Sequence, residues 1–251
     1  MYLSCLMIDV GRDPDRPRPG RLWLRNHYHV HQRLCMGFPS GSRKAKDPLF
    51  LAPFKPEDFS ELGDVHAPRS GERGFLYRID PRPGRAPVIV VQSAAEPDWD
   101  YAFHNATFLL AAPPQLGPFE PTFETDERLR FRLLANPTRK VDTKSRPDGT
   151  KSNGKRVPIP PDRFLEWLSR KGEAAGFVLD EGATSVQAGF IGWRKPGDSA
   201  GQKIRSVRFD GILTVSDSAL FGEALLHGLG PGKAFGFGLL SVARTQWRTL
   251  S

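Results

Sequence analysis

The chain has 251 residues, 39% hydrophobic and 25% charged, an ordinary globular composition that excludes wholesale disorder. No apolar run reaches the roughly 18–20 residues of a membrane span, and two cysteines, Cys5 and Cys35, are too few for a disulfide scaffold and fit a reducing cytosol. The 36 Lys and Arg outweigh the 28 Asp and Glu, and the resulting charge of +8 favours polyanionic partners through phosphate neutralisation.

Residues 1–10, MYLSCLMIDV, have no cationic leader and read as a strand apolar on both faces rather than a signal peptide. A polar loop with five arginines follows over 11–25. Asn26 is a good N-cap, and Val30, Leu34 and Phe38 at spacing four predict a helix that Pro39 stops. Strands are expected near 74–79 and 88–92. A poor helix is expected over 99–112, before Pro113 and Pro114 break the chain. Residues 128–134, RLRFRLL, alternate strictly and predict a half-buried strand with Arg128, Arg130 and Arg132 on its outer face. Residues 139–156 carry seven Lys and Arg against two Asp and little that could pack, and are expected to form a mobile basic loop. A helix carrying Phe164, Leu165, Trp167 and Leu168 runs to Gly176. Strands near 186–194 and 204–215, a helix at 218–227, a glycine loop and a last strand complete the chain.

The order is β-α-β-β-(α), then β-α-β-β-α-β. The second half fits the split βαββαβ, ferredoxin-like unit. The first half reads as a degenerate copy with its fourth strand unclear. The fold class is therefore α+β with two tandem ferredoxin-like domains, 1–117 and 118–251.

Three features bear on chemistry. The loop GLGPGKAFGFG fails as a Walker A motif, because His227 and Ala234 occupy the positions that need Gly and Ser or Thr. It also precedes a strand rather than a helix. It is either a turn that needs glycine for its backbone angles or a surface against nucleic acid with Lys233 reaching a phosphate. The run His27-Tyr28-His29-Val30-His31 has no acidic partner nearby and no HExxH, which argues against a metal site. On a helix Tyr28 and His31 share a face. The helix N-terminus disfavours imidazolium, which suits His31 to a general base, and welcomes a phosphate. A solvated or capping role for these histidines is the plain alternative. Finally, Trp193-Arg194-Lys195 with Lys203, Arg205 and Arg208 flanks one hairpin: either a solvated ribbon or a cationic finger for structured RNA, whose A-form offers phosphates and 2′-hydroxyls more readily than base edges.

The chain resembles the CasE family of CRISPR-associated endoribonucleases, the precursor-RNA processing subunit of type I-E Cascade. The resemblance rests on MYLSCLMID, on Asn26-x-Tyr28-x-x-His31-x-x-Leu34, on VQSAAEPDW at 91–99, on RLRFRLLANPTR at 128–139, and on GLGPGKAFGFGLLSVAR at 228–244. It implies two ferredoxin-like domains, metal-independent cleavage at the base of a CRISPR repeat hairpin, no cofactor, and retention of the product in a cytoplasmic surveillance complex with other Cascade subunits. It places the family histidine at His31, its tyrosine at Tyr28, and its basic hairpin at Arg194 and Lys195. His27 stands where the family usually has Pro. Gln32 stands where Arg is usual, with Arg33 next. Residues 40–73 run longer than in the family.

In the expected mechanism the RNA's own 2′-hydroxyl attacks in line, leaving a 2′,3′-cyclic phosphate and a 5′-hydroxyl. His31 is assigned as the base, with acid to the 5′-oxygen as the alternative, and Tyr28 either orients the sugar or shares in proton transfer. RNA affinity is assigned to Arg33, Arg128, Arg130, Arg139, Lys144, Lys151, Lys155, Arg156, Arg194, Lys195, Lys203, Arg205 and Lys233. A non-catalytic RNA-binding scaffold and a metallohydrolase are the alternatives.

Overall fold

The computed structural model describes residues 1–11, 13, 18–55, 58, 74–141, 155–195 and 197–245. In the first half, β1 (Tyr2–Met7) leads to three short helices, α1 (Pro19–Leu24), α2 (His27–Cys35) and α3 (Gly41–Lys46). Then come β2 (Phe75–Asp80), β3 (Val88–Ser93), α4 (Trp99–Phe103), a 3-10 turn at Thr107–Leu109, and β4 (Gln115–Pro118). In the second half, β5 (Arg128–Ala135) precedes a two-stranded ribbon, β6 (Thr138–Val141) with β7 (Lys155–Pro158). α5 (Phe164–Glu173), β8 (Phe177–Trp193), β9 (Gln202–Val215), α6 (Ser218–His227) and β10 (Leu240–Arg244) follow.

Each half builds one four-stranded antiparallel sheet, ordered β2-β3-β1-β4 and β10-β5-β9-β8. The second is fourth-first-third-second along its own half and the first is the same order read from its other edge, the arrangement of a βαββαβ unit. The α+β fold of two such units is therefore present, and the first half has its fourth strand: β4 pairs Gln115 with Cys5 and Pro118 with Tyr2. A proline and a glycine within it, together with its four-residue length, hid β4 from the sequence.

One face of each sheet is buried. Leu6, Ile8, Tyr77, Ile89 and Val91 pack on Val30 and Leu34 of α2 and on Trp99 and Phe103. Leu129, Phe131, Leu133, Val207, Phe209 and Leu213 pack on Phe164, Trp167 and Leu168 of α5 and on Phe221 and Leu225 of α6. A side chain of this size contributes about 1.5–3 kcal/mol on full burial, so these two clusters dominate each half's stability.

Several local expectations need correction. The loop expected over 11–25 contains α1, with Pro19 at its first turn. α2 ends at Cys35, before Pro39. The stretch 99–112 is one short helix and a 3-10 turn rather than a continuous helix. The basic loop expected over 139–156 has paired ends in β6 and β7, and its middle lies outside the described residues. β8 begins at Phe177, well before 186, and crosses an irregularity between Asp180 and Ser185.

The halves meet through polar contacts. Buried Arg78 on β2 pairs with Asp80 at 2.8 Å and donates to the Ser241 hydroxyl at 2.9 Å and the Leu239 carbonyl at 3.2 Å. Gln92 on β3 donates to the Leu225 carbonyl of α6 at 2.7 Å.

Candidate nucleic-acid interface

The start of α2 is a three-way joint. Asn26 caps the helix as its sequence position predicts, accepting from the Tyr28 amide at 3.2 Å. The same side chain accepts from the Arg194 amide at 3.0 Å and donates to the Arg194 carbonyl at 2.9 Å. An amide side chain thus pairs with the backbone at the end of β8 as another strand would, across 168 residues of sequence.

The glycine loop closes the joint from another side. His27 is buried and its Nδ1 donates to the Phe235 carbonyl at 2.8 Å, which assigns the proton to that nitrogen. Burial lowers the His27 pKa against the raising effect of that hydrogen bond, so the ring is held neutral. The buried Tyr77 hydroxyl donates to the carbonyls of both His27 and Ala234, at 3.2 and 3.1 Å. Trp193 of β8 packs on Phe235 with ring centroids 5.1 Å apart. Gly236 has φ +83°, and a Cβ there would lie 3.0 Å from the Tyr77 ring. The loop's glycine at this position therefore serves a left-handed turn and close protein packing.

The joint brings cations to Tyr28. The Lys195 ammonium lies 6.0 Å from the Tyr28 ring centroid and 5.9 Å from that of Trp193. Tyr28 is half-buried and its hydroxyl accepts from Gln32 at 3.3 Å. Half-buried Lys233 sits in the loop's 3-10 turn, and desolvation lowers its pKa. Further along the same hairpin are Lys203 and Arg205. Arg205 donates to the Ile159 carbonyl at 3.2 Å, which places the end of the ribbon, with Arg139 and Arg156 on it, beside the hairpin.

His31 is placed differently from the expectation of an open base. It is 8% exposed, with its ring stacked on Phe75 at 5.5 Å and Tyr77 at 6.2 Å. Its Nε2 lies 3.6 Å from the Cys35 sulfur, whose thiol burial pushes up to about 12. His29 is exposed, so the three imidazoles of the run go three ways. Among the described residues no cluster of three His, Cys, Asp or Glu is placed to hold a metal ion.

Other basic residues lie apart from the joint. Arg33 turns toward α4, donating to the Ala102 carbonyl at 2.8 Å and Asn105 at 2.9 Å, with its guanidinium 5.4 Å from the Phe50 ring centroid. The outer face of β5 is largely ion-paired: Arg128 with Asp180 at 3.2 Å and Arg132 with Asp210 at 2.5 Å. Arg130 is exposed between Ile212 and Ala243 of the neighbouring strands. Lys144 and Lys151 lie outside the described residues, and Lys155 opens β7. Sequence reasoning found Asn26 as a cap but missed its hold on residue 194. It also missed His27, Tyr77 and Phe235 as members of the joint. No local pattern carries a contact between residues so far apart. No helix among the described residues is long and apolar enough to cross a membrane.

The profile of a family described as CRISPR associated protein matches residues 1–244. The CRISPR-associated endoribonuclease Cse3 of Thermus thermophilus is 37% identical over 184 residues, 69% of this chain and 81% of that protein. The CRISPR system Cascade subunit CasE of Escherichia coli is 28% identical over 250 residues, 97% of this chain and 99% of that one. Among solved structures, Thermus thermophilus Cse3 bound to an RNA representing a pre-cleavage complex aligns with a TM-score of 0.67 at 30% identity, covering 96% of this chain and 98% of that chain. Agreement along almost the whole length, in sequence and in fold, leads to one conclusion: the chain belongs to the family of CRISPR associated proteins.

Proposed function

We propose that the protein is an endoribonuclease that recognises the repeat hairpin of precursor CRISPR RNA, cuts it with the RNA's own 2′-hydroxyl, and stays on its product in a cytoplasmic Cascade surveillance complex. The chain works as two units, 1–117 and 118–251. The observation that carries the reading is the joint: Asn26 fastens a cationic hairpin to the helix bearing Tyr28, on a fold shared with an RNA-bound endoribonuclease.

Arg194, Lys195, Lys203 and Arg205 of the hairpin, Arg139 and Arg156 of the ribbon, and Lys233 neutralise phosphates. The 2′-oxygen bonds to phosphorus, the P–O5′ bond breaks, and the products are a 2′,3′-cyclic phosphate and a 5′-hydroxyl. His31 takes the 2′-hydroxyl proton, and a proton returns to the departing 5′-oxygen. Tyr28 positions the ribose, and Lys195 beside it steadies charge on the phosphate. In the free protein the His31 ring rests on Phe75 and Tyr77, so its service as base requires that it leave that shelf when RNA binds. The attacking group belongs to the substrate, so this scheme uses neither metal nor cofactor.

One observation favours a second reading. Burial of His31 suits a non-catalytic RNA-binding subunit in which the imidazole is part of the packing. Incubation with the host's repeat RNA in EDTA separates the two. Cleavage to a cyclic-phosphate end, lost with a 2′-deoxy nucleotide at the scissile position, supports the endonuclease. Tight binding without cleavage selects the scaffold. His31→Ala is expected to slow cutting by about 10²–10⁴-fold, the usual contribution of proton transfer, with RNA affinity nearly unchanged. Unchanged cutting by that variant removes His31 from the chemistry.

A further inference from the structure

Phe190 is 66% exposed in the middle of β8. It belongs to no part of the joint, and neither hydrophobic core includes it. The strand register explains where it points. On β8, Val186, Ala188 and Phe190 pair with Phe209, Val207 and Arg205 of β9, so they lie on the sheet's helix-side face. Phe209 and Val207 are buried, and so is Phe177 at the start of β8, but β8 is the edge strand and Val186, Ala188 and Phe190 farther along it are left exposed.

The surroundings of the ring are cationic. Its cross-strand partner is Arg205, and the next pair on that face is Gly192 with Lys203. Gly192 has no side chain to cover the ring. Arg205 itself reaches the Ile159 carbonyl, directly after β7 of the ribbon that carries Arg139 and Arg156. An apolar ring with two cations along one flank suits a partner that is flat and apolar on one part and anionic on the next. A nucleobase presents a flat π-face to such a ring while the adjoining phosphates meet the cations.

We propose that Phe190 is a stacking platform for one unpaired nucleobase of the bound RNA, next to the repeat stem, with Lys203 and Arg205 holding the phosphates beside it. The inference rests on the reading of the protein as an RNA-binding endonuclease and adds to it a contact outside the cutting centre. Stacking on an aromatic is tolerant of base identity, so the platform holds the strand without specifying sequence.

The test uses full-length protein and two forms of the host repeat RNA: the bare stem-loop, and the stem-loop with its single-stranded flanks, carrying 2-aminopurine at each unpaired position in turn. One position is expected to lose fluorescence on binding wild-type protein or Phe190→Tyr, and to keep it with Phe190→Ala or Phe190→Leu. Phe190→Ala should weaken the flanked RNA about tenfold, in the range measured for single stacked bases, and leave the bare stem-loop unchanged. The salt dependence of binding should not move, because no charge is removed. Fluorescence and affinity unaffected by Phe190→Ala, an equal loss on both RNAs, or a loss seen only for association with other Cascade subunits would each overturn the platform. Wild-type protein that cuts the repeat while Phe190 is inert sinks this inference alone. Wild-type protein that binds no repeat RNA sinks the function with it.

Discussion

Asn26 shows how much one amide can carry. It caps α2 and holds both polar groups of residue 194, so its loss frees the hairpin from Tyr28 as well as fraying the helix. Asn26→Ala is expected to cost about 1 kcal/mol of stability, the usual value of a missing cap. Cleavage should fall much further, through the rate step more than through RNA affinity, because Lys195 loses its place. Single-turnover rates and filter-binding affinities on one protein preparation check this. Asn26→Asp keeps the cap but cannot donate to the carbonyl, and should fall between the two. His27 gives a pH signature. Burial lowers its pKa in the fold, so the unfolded chain binds a proton first as pH falls. Its contribution is whole above the unfolded value of about 6.5 and is lost as pH drops through the folded value. The melting temperature should therefore fall between about pH 7.5 and 5.5, with a shallower fall in His27→Gln. At this scale the sequence was partly readable. Asn26 as cap, and Tyr28 and His31 one turn apart, follow from helix geometry alone. The inward placement of His31 does not, since it depends on Phe75 and Tyr77 from another strand.

Elements with strong periodicity were the most legible. β5 shows its alternation in RLRFRLL, and its buried and outer residues fall as the pattern requires. What the pattern conceals is the partner of each outer charge. Arg128 and Arg132 meet Asp180 on β8 and Asp210 on β9, so an arginine-rich strand offers less free charge than its sequence suggests. The ribbon shows the reverse. Its sequence reads as loop, but Thr138 pairs with Pro158 and Val141 with Lys155, fixing Arg139 and Arg156 on a two-stranded frame. Replacing Arg139 and Arg156 by alanine should weaken repeat-RNA binding and reduce the slope of log affinity against log salt by about one for each phosphate no longer neutralised. The same pair of changes on β5, Arg128→Ala and Arg132→Ala, should alter that slope less. Binding titrations over a range of salt concentrations decide it.

At the scale of the molecule the succession of the main strands and helices of the second half was readable from its periods, whereas α1, α3, β4 and the ribbon were not. The docking of the halves was not, because it depends on single polar residues rather than on pattern. Arg78 is the clearest case, a buried guanidinium that pairs with Asp80 on its own strand and ties β2 to the far half through Ser241 and Leu239. Arg78→Leu leaves Asp80 and the Leu239 carbonyl without their donor and is expected to cost about 3–5 kcal/mol in urea unfolding, with the two halves melting apart. The same dependence on docking governs when the protein can act. Asn26 leaves the ribosome long before residue 194, and the Phe235 carbonyl that receives His27 comes later still. The joint is therefore expected to assemble only after residue 235 has been made, so chains truncated before it should fail to cut repeat RNA.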